Sequence, residues 1–278
     1  MKDYIEPPKD FGHAALQSHI ERAVQEIKHY TVLFVLKDKR VCSGIFVNTC
    51  GYHGVLTAHH VAEPVLNNSE VGLCIAERPH SLFLRSEHCQ HVPIGHVRNN
   101  LQLENGPDLS FIILRDANLL ATLRSLKSFY HLDTKDVSYF QSPLNRMIWC
   151  ISGCPYEATK VLGVSPPYGP LVQFQNFIGD ATFHSRTVRD GFDFIDLKMP
   201  CGEGDFPKDC RGMSGGGMWL VPLSIDPNSD TKTIRHEAPL LAGVSFYQSE
   251  IENGERVITG HGYDSIYSRV RQTLRELK

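Results

Sequence analysis

Asp108-Leu109-Ser110-Phe111-Ile112-Ile113-Leu114 joins an acidic residue to a short apolar run rich in β-branched and aromatic side chains. Such a run predicts a buried β-strand. Runs of the same kind recur on both sides. Upstream lie Val32-Leu33-Phe34-Val35-Leu36 and Gly44-Ile45-Phe46-Val47. Downstream lie Arg146-Met147-Ile148-Trp149-Cys150-Ile151, Phe194-Ile195-Asp196-Leu197, Met218-Trp219-Leu220-Val221 and Leu240-Leu241-Ala242-Gly243-Val244-Ser245-Phe246, with Gly, Pro, Asn and Asp between them. Strands at this density predict an all-β sandwich or barrel. They do not alternate with helices of roughly 10 to 15 residues, as a parallel α/β sheet would require.

Only the ends of the chain read otherwise. From about Phe11 to His29, Leu16, Ile20, Val24 and Ile27 recur on one helical face, expected to pack on the body of the protein. Tyr267, Val270, Leu274 and Leu277 predict a closing helix. Between about Ala117 and Asp136 the strand pattern lapses into a polar, partly helical stretch, the natural link between two halves.

A length of 278 residues allows one large domain or two small ones sharing an interface. Hydrophobic residues at 41% and charged residues at 21% describe an ordinary globular chain. The 28 basic and 31 acidic residues leave a net charge of −3, which gives no reason to expect nucleic acid as a partner. No apolar stretch approaches the roughly 20 residues needed to cross a bilayer, so no membrane is expected as a partner. The first residues, Met1-Lys2-Asp3-Tyr4-Ile5-Glu6-Pro7-Pro8, hold no run of signal-peptide length, and the expected location is the cytoplasm. On that compartment argument the eight cysteines, Cys42, Cys50, Cys74, Cys89, Cys150, Cys154, Cys201 and Cys210, are expected to be reduced and mostly structural.

Three short motifs belong together: Val55-Leu56-Thr57-Ala58-His59-His60-Val61, the opening Asp108-Leu109-Ser110, and Gly212-Met213-Ser214-Gly215-Gly216-Gly217. They supply a histidine at the end of a strand, an aspartate at the start of another and a serine in a glycine-rich turn. Serine nucleophilicity needs these parts, because the hydroxyl is weak until a base removes its proton and that base must be held in the right tautomer. The glycines fit as well. Acyl transfer builds charge on a carbonyl oxygen, which backbone N–H groups can meet where the chain turns tightly without side chains.

The order His…Asp…Ser separates this set from the subtilisin and α/β-hydrolase arrangements. Leu56-Thr57-Ala58-His59-His60-Val61 resembles the catalytic-histidine motif of the chymotrypsin/trypsin-like serine peptidases, with His60 in the catalytic place and His59 replacing an alanine. Asp108-Leu109-Ser110 resembles that family's aspartate motif, and Gly212 to Gly217 its Gly-Asp-Ser-Gly-Gly-Pro. Gly243-Val244-Ser245-Phe246 is similar to the strand lining the substrate cleft, and Tyr267-Ser268-Arg269-Val270 to the segment before the closing helix.

The resemblance implies two antiparallel six-stranded β-barrels with an N-terminal and a C-terminal helix. Residues 1–30 would form the arm and helix, 31–128 the first barrel with His60 and Asp108, and 129–278 the second with Ser214. It also implies a serine endopeptidase acting on protein or peptide without a cofactor or metal. Gly212 and Ser214 would form the oxyanion hole, Ser245 would hydrogen-bond Asp108, and Lys208, Ser245 and Phe246 would meet the substrate. A basic Lys208 at the pocket floor would favour an acidic side chain.

Met213 stands where digestive members carry the aspartate that pairs with a new N-terminus, and Val61 where secreted members carry a cysteine. Met213 and the helix before the first strand make the chain look closer to bacterial intracellular or HtrA-like members, while Val61 means the family's disulfide positions do not transfer. An intracellular enzyme of this kind is expected to be regulated, with a partner protein at the N-terminal helix as one route. The competing reading is a latent or inactive peptidase-fold binding module, in which Met213 distorts the serine turn. An esterase shares the chemistry but lacks an identifiable acyl pocket. His80, His88, Cys89, His91 and His96 are zinc-ligand types at spacings that match no template. Asp116, Asp133 and Asp136 are rivals to Asp108, but none opens an apolar strand.

Overall fold

The computed structural model describes residues 13–38, 40–75, 82–96, 106–135, 147–165, 169–173, 175–225, 234–235 and 237–278. His80 and Asp136, and the Phe11 at which the first helix was expected to start, lie outside them. Helix α1 (His13–Tyr30) opens the described chain. Eight strands follow: β1 (Thr31–Val35), β2 (Val41–Thr49), β3 (Tyr52–Thr57), β4 (Glu70–Cys74), β5 (Leu82–Arg85), β6 (Cys89–Gly95), β7 (Leu109–Leu114) and β8 (Tyr130–His131). They form one sheet in the order β5-β4-β1-β2-β3-β7-β6, with β8 pairing in parallel with β2. Helices α2 (His59–Asn67) and α3 (Ala117–Leu126) interrupt the series.

The second half runs through β9 (Met147–Gly153), β10 (Lys160–Ser165), β11 (Gly169–Gln173), β12 (Phe177–Arg189), β13 (Phe192–Pro200), β14 (Gly217–Pro222), β15 (Ser224–Ile225), β16 (Ile234–Arg235), β17 (Leu240–Gln248) and β18 (Glu255–Gly262). Six of these close a barrel, β12-β13-β18-β17-β14-β9. The expected double-barrel class is therefore observed, although the first sheet holds eight strands rather than six and does not close among the described residues. Closure leaves the six barrel strands without free edges, and only register set by non-local pairing achieves it.

One apolar cluster runs through both halves, from Ile45, Leu56 and Phe111 to Trp219, Ile151, Ile195 and Leu241, and takes in Ala23 and Ile27 of α1; a second packs Phe34, Phe46, Val61 and Ile112 with Phe194 and Phe246. The α1 stripe thus packs on the body, with His19, Ala23 and Ile27 at its buried centre and Leu16, Ile20 and Val24 beside them. His19 Nε2 lies 2.8 Å from the Pro222 carbonyl, and Tyr30 stacks on Trp219 at 5.7 Å. At the other end, Ser265–Val270 forms a π-helix that runs into α4 (Arg271–Arg275). Tyr267 to Val270 therefore lie within the closing helix rather than before it.

Candidate active site

The β3–β7 ladder ends with Thr57 opposite Ser110. The residues that leave it, His59 and His60 on one side and Asp108 on the other, consequently emerge together. The histidine pair does not end a strand, as its sequence implied. Ala58 is extended at the N-cap position, and both histidines open α2. Helical neighbours diverge by about 100°, so the two rings part company. His60 Nδ1 meets Asp108 Oδ2 at 2.5 Å, and its backbone N–H donates to Asp108 Oδ1 at 2.9 Å. His59 Nδ1 instead meets Ser110 Oγ at 2.8 Å, and its ring stacks on His91 and His96 at 5.2 and 4.7 Å. Burial lowers the pKa of His59, partly opposed by the nearby Glu63 carboxylate.

Asp108 is 2% exposed. Burial works to raise its pKa, but the hydrogen bonds and charge of His60 outweigh burial and hold the carboxyl below the usual carboxylate range. Its backbone N–H donates to Nε2 of His261 at 2.8 Å. His261, on β18, is fully buried. Burial drives its pKa down to about 4, against the pull of Asp108 and Asp193, with Arg189 adding to the fall. Because Nε2 accepts, the ring proton sits on Nδ1, and that atom meets no hydrogen-bond partner among the described residues. The expectation that Ser245 would bond Asp108 is corrected here. Ser245 Oγ donates to the carbonyls of Met213 and Gly216, at 3.0 and 3.2 Å, and is occupied in holding the serine turn.

That turn is pinned from both halves of the molecule. From the first sheet, the Ser43 N–H donates to the Ser214 carbonyl at 3.1 Å and Ser43 Oγ to the Gly212 carbonyl at 2.7 Å. Ser43 Oγ also accepts the Cys154 N–H at 2.9 Å, and the Ser43 carbonyl accepts Thr57 Oγ1 at 2.8 Å. From the second barrel, Gly215 N–H donates to the Ser245 carbonyl at 2.7 Å. Gly215 has φ +85°, and a Cβ there would collide with Thr57 Oγ1 and the Ser43 carbonyl. Gly212 has φ +93°, and a Cβ would sit 2.6 Å from the Cys154 carbonyl. Glycine is thus required at both places. Sequence reasoning passed over Ser43, because a lone serine inside a strand carries no spacing signal.

The Met213 side chain is buried, beside Gly153, and does not disturb this turn. The Arg211 carbonyl accepts the Tyr156 N–H at 2.7 Å. Across a trans peptide the following N–H points the opposite way, so the Gly212 N–H faces away from Tyr156. Among the described residues neither the Gly212 nor the Ser214 N–H donates to a protein acceptor. Ser214 Oγ lies 3.5 Å from the Phe246 carbonyl, and no hydrogen bond joins it to His60 among the described residues.

The Phe246 ring is buried against Phe194 and His261, which leaves only its main chain to meet a ligand. The β17–β18 register shifts between Ser245 and Tyr247, a bulge of the kind that re-aims a strand beside a functional site. Lys208 is exposed, its backbone N–H donating to Glu157 Oε1 at 2.7 Å and its side chain lying along Gly202. A second cation, unforeseen in the sequence, stands beside it. Arg256 reaches Gln248 Oε1 and, at 3.5 Å, the Lys208 carbonyl, and its Nε is buried without a partner among the described residues.

The rival carboxylates have other duties. Asp116 caps α3 by accepting the N–H groups of Asn118 and Leu119. Asp133 accepts Thr49 Oγ1 and the Cys50 N–H and pairs with Arg271. Among the described residues, no group of three or more His, Cys, Asp and Glu is arranged to hold a metal ion.

No protein-family model matches the chain, and no curated protein does. Solved structures do. The Grass clip serine protease of the Drosophila Toll pathway superposes with a TM-score of 0.51 at 11% identity, over 90% of this chain and 70% of that one. The thermostable serine protease AL20 from an extremophilic microorganism matches at 0.45 and 14%, over 87% and 94%. The HtrA-type protease AlgW matches at 0.44 and 14%, over 92% and 64%. At these identities the likeness concerns fold, and the chain has the fold of the chymotrypsin-like serine proteases.

Proposed function

We propose that this protein is a serine endopeptidase, and the observation that carries the reading is the doubly bonded His60–Asp108 pair beside a serine turn with two unspent N–H groups. Asp108 fixes the Nδ1–H tautomer of His60, which leaves Nε2 as the base. His60 takes the Ser214 proton as Oγ attacks the substrate carbonyl, and the Gly212 and Ser214 N–H groups receive the oxyanion. The proton then passes to the leaving amine as the peptide bond breaks. Water, activated by the same histidine, hydrolyses the acyl-enzyme. No step calls for a metal or organic cofactor.

Arg256 reaches the main chain of Lys208, six residues before Ser214, and the charge of the two favours an acidic side chain on the acyl side of the scissile bond. Peptides alike except for Glu, Leu or Lys at that position test this. Glu should give the highest kcat/KM, and equal rates would remove the charge argument. A regulatory partner at the exposed side of α1, and a cytoplasmic setting, complete the proposal. Cleavage unchanged after deletion of residues up to His29 would remove the basis for the partner.

The lack of a Ser214–His60 hydrogen bond among the described residues is what a latent, binding-only protein would also show, although catalytic hydrogen bonds often tighten only with substrate in place. Reaction with a fluorophosphonate separates the two readings. Labelling of the native chain, abolished in Ser214→Ala and His60→Ala, supports the enzyme; a folded native chain that stays unlabelled supports the binding module.

A further inference from the structure

We infer that His261 is a positioning residue of the site, holding the main chain of Asp108 so that its carboxylate stays locked on His60. The inference rests on the triad reading and deepens it. Three phenylalanine rings surround the imidazole: Phe194 at 5.0 Å, Phe246 at 5.1 Å and Phe192 at 5.5 Å between centroids. Such a pocket suits a fourth phenylalanine better than a histidine. The imidazole brings one polar asset to it, the Nε2 lone pair aimed at the Asp108 N–H, and carries a buried Nδ1 that gains nothing. A polar ring retained at that disadvantage is explained by the one bond it makes.

Asp108 needs such a hold. It lies just beyond the β3–β7 and β6–β7 ladders, where among the described residues no cross-strand partner fixes its main chain, and Ser245 is engaged elsewhere. The tie also spans the two halves, since β18 belongs to the closed barrel and Asp108 to the first sheet. The side chain of Asp108 then has both oxygens free for His60, one for its backbone N–H and one for its ring.

The test compares the native chain with His261→Phe, which keeps the aromatic volume and loses the acceptor, and His261→Gln, whose amide oxygen can reach where Nε2 stands. Two readouts are taken: the fluorophosphonate labelling rate and the low-field proton resonance of the His60–Asp108 bond. In H261F the rate should fall roughly 100-fold, as a slightly misplaced catalytic group allows, with the resonance lost and peptide KM little changed. H261Q should restore most of both. Should H261F fail to fold, His261→Asn decides, because its shorter amide stays polar but stops short of Asp108, and a native labelling rate there overturns the inference. A native chain that lacks the resonance sinks the triad reading, and the positioning role with it. A native chain that shows it, unmoved in H261F, sinks the positioning role alone.

Discussion

Asp108 and His261 share a hydrogen bond and are both buried, and each holds a pKa that ties stability to pH. Asp108 titrates below its unfolded value near 3.9, so its contribution is present above that value and is lost as pH falls through the folded pKa. His261 titrates at about 4 in the fold and about 6.5 in the unfolded chain. Between those values the unfolded chain binds a proton that the native one refuses. Stability from this group therefore rises with pH across the window and is complete above it. A shift of that size corresponds to about 3 kcal/mol. Urea unfolding near pH 4.5 and near pH 7 should show the difference, and H261F should flatten it; an equal slope in both chains would count against a neutral His261. Catalysis should respond to the other partner of the bond. Asp108→Asn, which favours the wrong His60 tautomer, should lower the labelling rate by about 10⁴ with circular dichroism unchanged. The motif residues His60, Asp108 and Ser214 were legible as candidates because short motifs around an apolar strand and a glycine-rich turn carry them. His261 was not, since its partner is a main-chain N–H 153 positions away, and nothing in Gly260-His261-Gly262 encodes that.

Helix α2 shows how a local reading can reach the observed His60–Asp108 pair through a different element. His59 and His60 were expected at the end of a strand; they diverge instead as the first turn of a helix that the short segment His59–Asn67, with Pro64 inside it, did not advertise. The resemblance likewise assigned Ser245 to Asp108, whereas the bulge after it leaves Ser245 on the serine turn. Ser43 on β2 is the matching brace from the other side, and its hydroxyl both donates and accepts. Ser43→Ala would leave the buried Cys154 N–H without its partner. It should cost about 1–3 kcal/mol in thermal or urea unfolding and lower kcat more than it raises KM; an unchanged midpoint would show that the brace is idle.

For the molecule as a whole, the β class was readable from the spacing of apolar runs. Closure of the second barrel and the eight-stranded first sheet were not, because pairing between distant segments fixes them. The cysteines follow the same division. All eight are unpaired, and burial raises the pKa of several, Cys42 and Cys74 to about 11 and Cys150 and Cys210 to about 12. A thiol so buried is a poor nucleophile. Added reductant should leave the melting temperature unmoved, and an aromatic disulfide reagent should react slowly with Cys150, Cys154 and Cys210 until the chain unfolds; rapid native labelling at those three would contradict their burial. The double pinning of the serine turn has one more consequence. Because β2 supplies one clasp and β17 the other, the serine turn is a rivet between two shells rather than a fixture of either. Prying the shells apart and disarming the serine are then the same event, so activity would report on whether the halves are still joined, well before either has come undone.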